Sequence, residues 1–425
     1  MKLTLKNIGK IGTASVEING ITVIAGENNT GKSTVGRALF AVFNSFYNVQ
    51  KQIENERADS VENLLDRMCL NNSSSRFFRI ANTNEIAKAI VARIGLYRQA
   101  ELPDMQKDIM ELLSQYDGWK IETFDESTVA ETVSRIKDVL NVSDADFLKS
   151  VLERNLNAEF NEQVCNIFSE DDGEIQLQIK DTSIKVSVES EGNVAVLNPD
   201  DISLHTEVVY IDDPFVLDDP NMFYRRAASM SYDHRYYLRK TLFWPKPESN
   251  VFDEIIAKDK LNSIYEKLSS VCSGDIIRGK RSMLGYQRKD SDKVLNVRNL
   301  STGLKAFVIL KMLLTSGAIE RNGTIILDEP EIHLHPEWQL LFAELIVLIQ
   351  KEFGVHVLLN THSPYFLSAI ETYTVKYGVD DKCKYYLASS KDDISDIEDV
   401  TDNIEAIYSK LARPLQTLEN ERGRL

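Results

Sequence analysis

One stretch near the N-terminus constrains this chain more than any other. Gly26-Glu-Asn-Asn-Thr-Gly31-Lys32-Ser33-Thr34 fits the spacing G-x-x-x-x-G-K-[ST]. Ile21-Thr-Val-Ile-Ala25 before it is a short apolar run of the buried-strand kind. Val35 to Phe43 after it has the apolar periodicity of a helix. A strand, a tight glycine-bearing loop and a helix, in that order, aim backbone N–H groups and a positive helix end at one point. That point suits phosphate. Gly26, Asn28, Asn29, Thr30 and Gly31 would form the loop, with Thr34 just beyond it. Lys32 would reach the β- and γ-phosphates, and the Ser33 hydroxyl would bind Mg²⁺.

The last third supplies a second half-site. Gly323-Thr-Ile-Ile-Leu-Asp328-Glu329-Pro330 is an apolar strand ending in paired acids. Asp328 is placed to hold Mg²⁺ or its waters, and Glu329 to polarise an attacking water. A helix from Trp338 follows, then the strand Val355-His-Val-Leu-Leu-Asn360, which ends in Thr361-His362-Ser363-Pro364. His362 is placed to contact a γ-phosphate and orient the water. Val208-Val-Tyr-Ile-Asp212-Asp213-Pro214 has the same outline as the Asp328 strand but lacks that context.

Leu300-Ser301-Thr302-Gly303-Leu304-Lys305 precedes a helix expected over Ala306–Leu314. Ser301 reads either as an ordinary helix N-cap or, with Gly303, as a second anion site. One chain has no use for two γ-phosphate sites. Two chains face to face do, if each completes the other's site.

GENNTGKST, LSTG, ILDEP and NTHS, in this order, resemble the Walker A, signature, Walker B and switch-histidine elements of the ABC ATPase superfamily. About 269 positions separate Lys32 from Ser301. That split looks like the RecF, SMC and OLD-like branch, where an arm is inserted into the head. EIHLHPEW, THSPYFL and the opening KNIGKIG…VEINGITVIAGENNTGKST look like prokaryotic AAA-family ATPases of the OLD and PtuA kind, many of which act in phage defence beside a nuclease.

The resemblance implies an α/β fold, an ABC-type P-loop ATPase head with an inserted, mainly helical arm. It implies ATP and Mg²⁺ as ligands, with Lys32, Ser33 and Asp328 on phosphate and metal. Glu329 would be the base and His362 the switch. Ser301 and Gly303 would meet the γ-phosphate of the opposite protomer, and Glu331 to His335 would form the D-loop at a homodimer seam. The signature departs from many members in having Leu-Lys after its glycine. No glutamine is placed firmly as the Q-loop; Gln50 is the candidate.

Along the chain, residues 1–46 and 291–425 read as a split head, joined by strands at about 174–211. Residues 47–173 read as a helical, acidic arm, and 212–290 as a mixed α/β connecting region. Repeated apolar spacing at Ile86, Ile90, Ile94 and at Val133, Ile136, Leu140 carries the arm assignment.

The balance of 49 Lys and Arg against 65 Asp and Glu gives a net charge of −16. This argues against wholesale coating of nucleic acid but leaves room for a local basic groove. Two stretches offer one. Arg225, Arg226, Arg235, Arg239 and Lys240 lie among aromatics, and Arg278, Lys280, Arg281, Arg288, Lys289, Lys293 and Arg298 run up to the signature. Phosphate contact and a solvated, ion-paired face remain equal readings.

Four scattered cysteines without a CxxC pair suit reduced thiols in the cytoplasm. No apolar run is long enough for a signal peptide or a bilayer span, so no membrane partner is expected. His333 and His335 lack a third metal ligand at a typical spacing. Asp392, Asp393, Asp396, Glu398 and Asp399 read as a solvated acidic loop. A nuclease or toxin would then be a separate effector chain. DNA or RNA, and an oligomer beyond the dimer, remain open.

Overall fold

The computed structural model describes residues 1–71, 82–116, 119, 124–197, 204–218, 232–244, 262–278 and 284–422. It divides into two compact units, one of Met1–Ser45 with Leu152–Leu425, the other of Phe46–Val151.

The first unit is built on an eleven-stranded sheet of order β6-β5-β4-β1-β2-β14-β13-β3-β12-β11-β7. Its strands are β1 (Lys2–Ile8), β2 (Ile11–Glu17), β3 (Ile21–Gly26), β4 (Gly173–Ile179), β5 (Thr182–Val188), β6 (Val194–Val196), β7 (Val208–Ile211), β11 (Thr324–Asp328), β12 (His356–Thr361), β13 (Cys383–Lys391) and β14 (Ile394–Asp399). One half is antiparallel, with β1 between β2 and β4. The other half, β13-β3-β12-β11-β7, is parallel throughout.

Chemistry explains the division. β3 is buried along its whole length, as a strand covered on both faces must be. β4 and β5 alternate buried and exposed residues instead. Among the described helices of this unit are α1 (Lys32–Phe46), α8 (His234–Phe243), α9 (262–271), α10 (Thr302–Thr315), α11 (Pro336–Phe353) and α12 (Pro364–Tyr377). The apolar faces of α8 to α12 share one core with the parallel strands, including Val23, Leu242, Phe307, Leu345 and Leu359, and α1 buries Val35, Leu39 and Val42. A small antiparallel sheet of β8 (Gly274–Arg278), β9 (Leu284–Arg288) and β10 (Val294–Asn296) completes the described strands.

The second unit is helical. It holds α2 (Val49–Asn71), α3 (Thr83–Ala92), α4 (Ile94–Tyr97), α5 (Leu102–Ser114), α6 (Glu126–Asn141) and the first half of α7 (Asp144–Phe160). α6 shows why these segments are helices. Asp125 caps it by accepting from Thr128 N, and Val129, Val133, Ile136 and Leu140 form one buried stripe. Its core has its own members, among them Leu65, Ile90, Ile109 and Ile136.

Three expectations shift. The helical unit ends at Val151, not 173, because the chain after Phe160 joins the sheet: Ile8 bridges Cys165 and Gly9 N donates to Val164 O. The described parts of 212–290 belong to the same unit as the sheet, since Leu238, Leu242, Ile264 and Leu268 enter its core. The acidic stretch near 392–399 is not a loop. Residues 394–399 form β14, which pairs with β13 and β2, and Asp396 Oδ1 accepts from Thr13 Oγ1 at 2.9 Å.

Among the described residues no helix is long and apolar enough to cross a membrane, and no cluster of His, Cys, Asp and Glu fits a metal. All four cysteines are free.

Candidate nucleotide site

The parallel register puts the sequence-predicted residues on one edge of the sheet. Thr361 pairs with Ala25, Asn360 with both Ile24 and Asp328, and Leu327 with Ile211. The loop after β3, the acids after β11 and the histidine after β12 therefore leave the sheet at the same level. Ligands of open parallel sheets bind at these carboxyl ends.

The loop itself is shaped for an anion. Asn29 and Gly31 take left-handed φ values of 63° and 76°. At Gly31 the φ alone favours glycine, and a Cβ would stand 2.6 Å from Ile11 Cδ1. α1 then starts at Lys32 with no acidic residue of its own in the first turn to offset its positive end. Ser33 and Thr34 lie in that turn. Thr30 Oγ1 donates to Glu27 O at 2.8 Å and closes the loop.

Lys32 is buried, with its ammonium 3.0 Å from Gly26 O and 2.8 Å from Glu27 O. It also lies 3.4 Å from Glu329 Oε1. Glu329 has a left-handed φ of 50°, and its N–H donates to Asn360 O at 2.9 Å, which turns the chain at the end of β11. His362 Nδ1 stands 3.3 Å from the same Glu329 oxygen, yet it has no hydrogen bond in line. Lysine, glutamate and histidine thus converge on one point from three separate strands.

Asp328 is held by both oxygens. Asn360 Nδ2 donates to Oδ1 at 2.9 Å and the Tyr210 hydroxyl to Oδ2 at 3.1 Å. Burial, then the charge of Asp328, raises the Tyr210 phenol well above its usual range, so it acts as donor. Glu331 is buried and accepts from Thr361 Oγ1 at 2.5 Å and from His362 N at 3.2 Å. Burial pushes its carboxyl up. Along the sequence Tyr210 carries no mark of a role, Asn360 and Thr361 stand only within the NTHS motif, and Glu331 falls in the D-loop expected at a homodimer seam.

Ser301 is exposed and caps α10, accepting weakly from Leu304 N at 3.4 Å. α10 begins at Thr302, earlier than expected, because that cap fixes its start. Its first turn also lacks acids. Gly303 packs closely: a Cβ there would meet His333 O at 2.9 Å and the Trp338 ring at 3.2 Å. The unusual Lys305 is buried and pairs with Asp218 at 2.8 Å.

The Asp212 strand is no bystander. β7 lies next to β11, and Asp212 meets His234 Nε2 at 3.1 Å and Arg235 Nη2 at 2.5 Å. Arg235 pairs with the largely buried Asp212, and the exposed Arg288 with the equally exposed Asp290. Arg225, Arg226, Lys280 and Arg281 lie outside the described residues. Gln50 sits exposed in α2 of the helical unit.

The donor set fits a magnesium nucleotide. Asp328 and Ser33 offer hard oxygens, the loop and α1 offer N–H groups, and Lys32 and the unpartnered His362 nitrogen face the same space as Glu329.

A parallel sheet carrying this loop, this paired acid and this histidine at one edge defines a P-loop ATPase. The chain belongs to the family described as "AAA domain, putative AbiEii toxin, Type IV TA system", whose model matches residues 21–368. It is similar to an OLD nuclease of Thermus scotoductus, at 30% identity over 84 residues, 20% of this chain. The match spans only 16% of that relative's length. Among solved structures it is similar to an SMC head domain from Thermotoga maritima, at 12% identity and TM-score 0.38, covering 94% of this chain and 98% of that one. It is also similar to an Smc head bound to the C-winged helix domain of ScpA, at 13% identity and TM-score 0.42, covering 94% and 96%.

Proposed function

We propose that the protein binds ATP with Mg²⁺ between two copies of its head, hydrolyses it, and so regulates a separate effector protein in prokaryotic phage defence. The convergence of Lys32 and His362 on one Glu329 oxygen, at 3.4 and 3.3 Å, carries the reading. Lys32 binds the β- and γ-phosphates, displacing its own tether to Glu329. Asp328 and Ser33 hold the metal, which when bound neutralises phosphate charge. Glu329, freed from Lys32, takes a proton from the attacking water as the water oxygen bonds to the γ-phosphorus and the bond to the β–γ bridging oxygen breaks, with ADP leaving. His362 orients that water and contacts the γ-phosphate. Ser301 and Gly303 of a second copy close the site with another acid-free helix end.

The negative charge of ATP between two positive helix ends would hold the heads together, and its hydrolysis would let them part. The family description names a toxin system and the curated relative is named a nuclease; those words support an effector of that chemistry. Light scattering of Glu329→Gln protein tests the core of the reading. An ATP-dependent doubling of mass is expected, and an unchanged monomer counts against it.

A RecF- or SMC-like DNA-binding role is the second reading. Lys289 and Lys293 are exposed between β9 and the signature, and they favour it. It requires DNA-stimulated turnover that falls steeply with salt and is lost in Lys289→Glu/Lys293→Glu protein.

A further inference from the structure

The carboxylate assigned to the metal is steadied by a residue from a different strand. β7 pairs with β11 so that Tyr210 lies opposite Ile326, two residues before Asp328. Tyr210 is fully buried, and its hydroxyl donates to Asp328 Oδ2 at 3.1 Å. Room for that hydroxyl comes from the nucleotide-loop helix: a Cβ on Gly36 of α1 would stand 3.1 Å from it.

The ring cannot easily move. It stacks on the His234 imidazole with centroids 4.1 Å apart and planes at 21°. His234 is itself clamped, with Nδ1 2.7 Å and its backbone N 2.5 Å from the two Glu159 oxygens, and Nε2 3.1 Å from Asp212. Phe40 of α1 packs edge-on against both rings. A buried charge cluster of this kind is costly to disturb, so it makes a rigid floor.

We propose that Tyr210 is a positioning residue for Asp328, holding its carboxylate in the rotamer that binds the metal, on a floor formed by His234, Glu159 and Asp212. This rests on the assignment of Asp328 to the metal. Hydrogen bonds to a ligating carboxylate fix its orientation, and removing such a partner typically weakens metal binding about 10- to 100-fold.

The test is Mn²⁺ binding, read by electron paramagnetic resonance, to the full chain with a non-hydrolysable ATP analogue. Tyr210→Phe keeps the ring and the stack but loses the hydroxyl. It should weaken Mn²⁺ about ten-fold, while analogue affinity in EDTA stays within about two-fold. Should that variant melt early, Gly36→Ala crowds the hydroxyl from the other side without removing a polar group, and the same weakening is expected. Unchanged Mn²⁺ affinity in whichever variant folds overturns the proposal. Asp328→Asn is run in parallel. If it weakens Mn²⁺ and Tyr210→Phe does not, Tyr210 has no such role and the site reading stands. If Asp328→Asn also binds normally, the site reading itself is wrong.

Discussion

Glu331 accepts a hydrogen bond from Thr361 Oγ1 at 2.5 Å and another from His362 N at 3.2 Å. A buried carboxylate after β11 therefore fixes the backbone on which the histidine after β12 is mounted. It acts from beneath the histidine. Glu331→Ala should free that backbone and lower kcat about ten-fold, with ATP affinity changed far less. Single-turnover kinetics beside equilibrium binding would show the split; a loss of binding equal to the loss of rate would refute it.

Lys32 has three acceptors inside its own site, so its ammonium is positioned before any ligand arrives. Lys32→Ala should abolish ATP binding at micromolar protein without lowering the melting temperature by more than a few degrees. Fluorescent-nucleotide titration checks this, and retained binding would remove Lys32 from the site.

Glu329→Gln should behave differently. It keeps shape and hydrogen bonding but cannot take a proton, so kcat should fall about 10²- to 10⁴-fold while ATP still binds. A variant with near-normal turnover would show that another group is the base.

The His234 cluster gives a pH dependence. His234 faces Glu159 from α7 and Asp212 after β7, with Arg235 also on Asp212 and the Tyr210 and Phe40 rings against it. Burial opposes its protonation, but the bonds to Asp212 and Glu159 outweigh that and lift its pKa from 6.5 to about 9. A pKa raised by folding contributes stability that is complete below about pH 6.5 and lost as pH rises through about 9. The melting temperature should therefore fall between pH 7 and 9.5, and more steeply than in His234→Gln protein. Parallel slopes would show that the histidine is not the source.

Lys305 is buried and depends on Asp218, with the Phe215 ring 5.0 Å from its ammonium. Asp218→Ala strands that cation and should cost about 2 kcal/mol, less than a fully buried pair because Asp218 is partly exposed. Lys305→Met should cost less than Asp218→Ala. Chemical denaturation of both variants would decide, and equal losses would contradict the argument.

The loop at Gly26–Thr34 and the Asp328 strand were legible in the sequence because their chemistry is local: a strand, a turn and a helix start are neighbours along the chain. Tyr210 was not. In Val208-Val-Tyr-Ile211 it reads as one more core aromatic, and its role depends on β7 lying beside β11, with 118 positions between Tyr210 and Asp328. The end of the helical unit was hidden for a related reason. α7 runs unbroken from Asp144 to Phe160, while the unit boundary falls at Val151. Periodicity reports that a stripe is buried, not what buries it. β14 was missed because its inward residues are only Ser395 and Ile397, so its alternation was masked by acids.

A nucleotide site completed by a second copy is tested most directly by complementation between two defective chains. Lys32→Ala protein lacks a working loop but keeps its signature; Ser301→Arg protein keeps the loop and lacks the signature. Each alone should be inactive. Mixed in equal amounts, half of the dimers would carry both chains and one intact site, restoring about a quarter of wild-type turnover. A mixture as inactive as its components, or a Ser301→Arg chain fully active alone, would contradict the shared site.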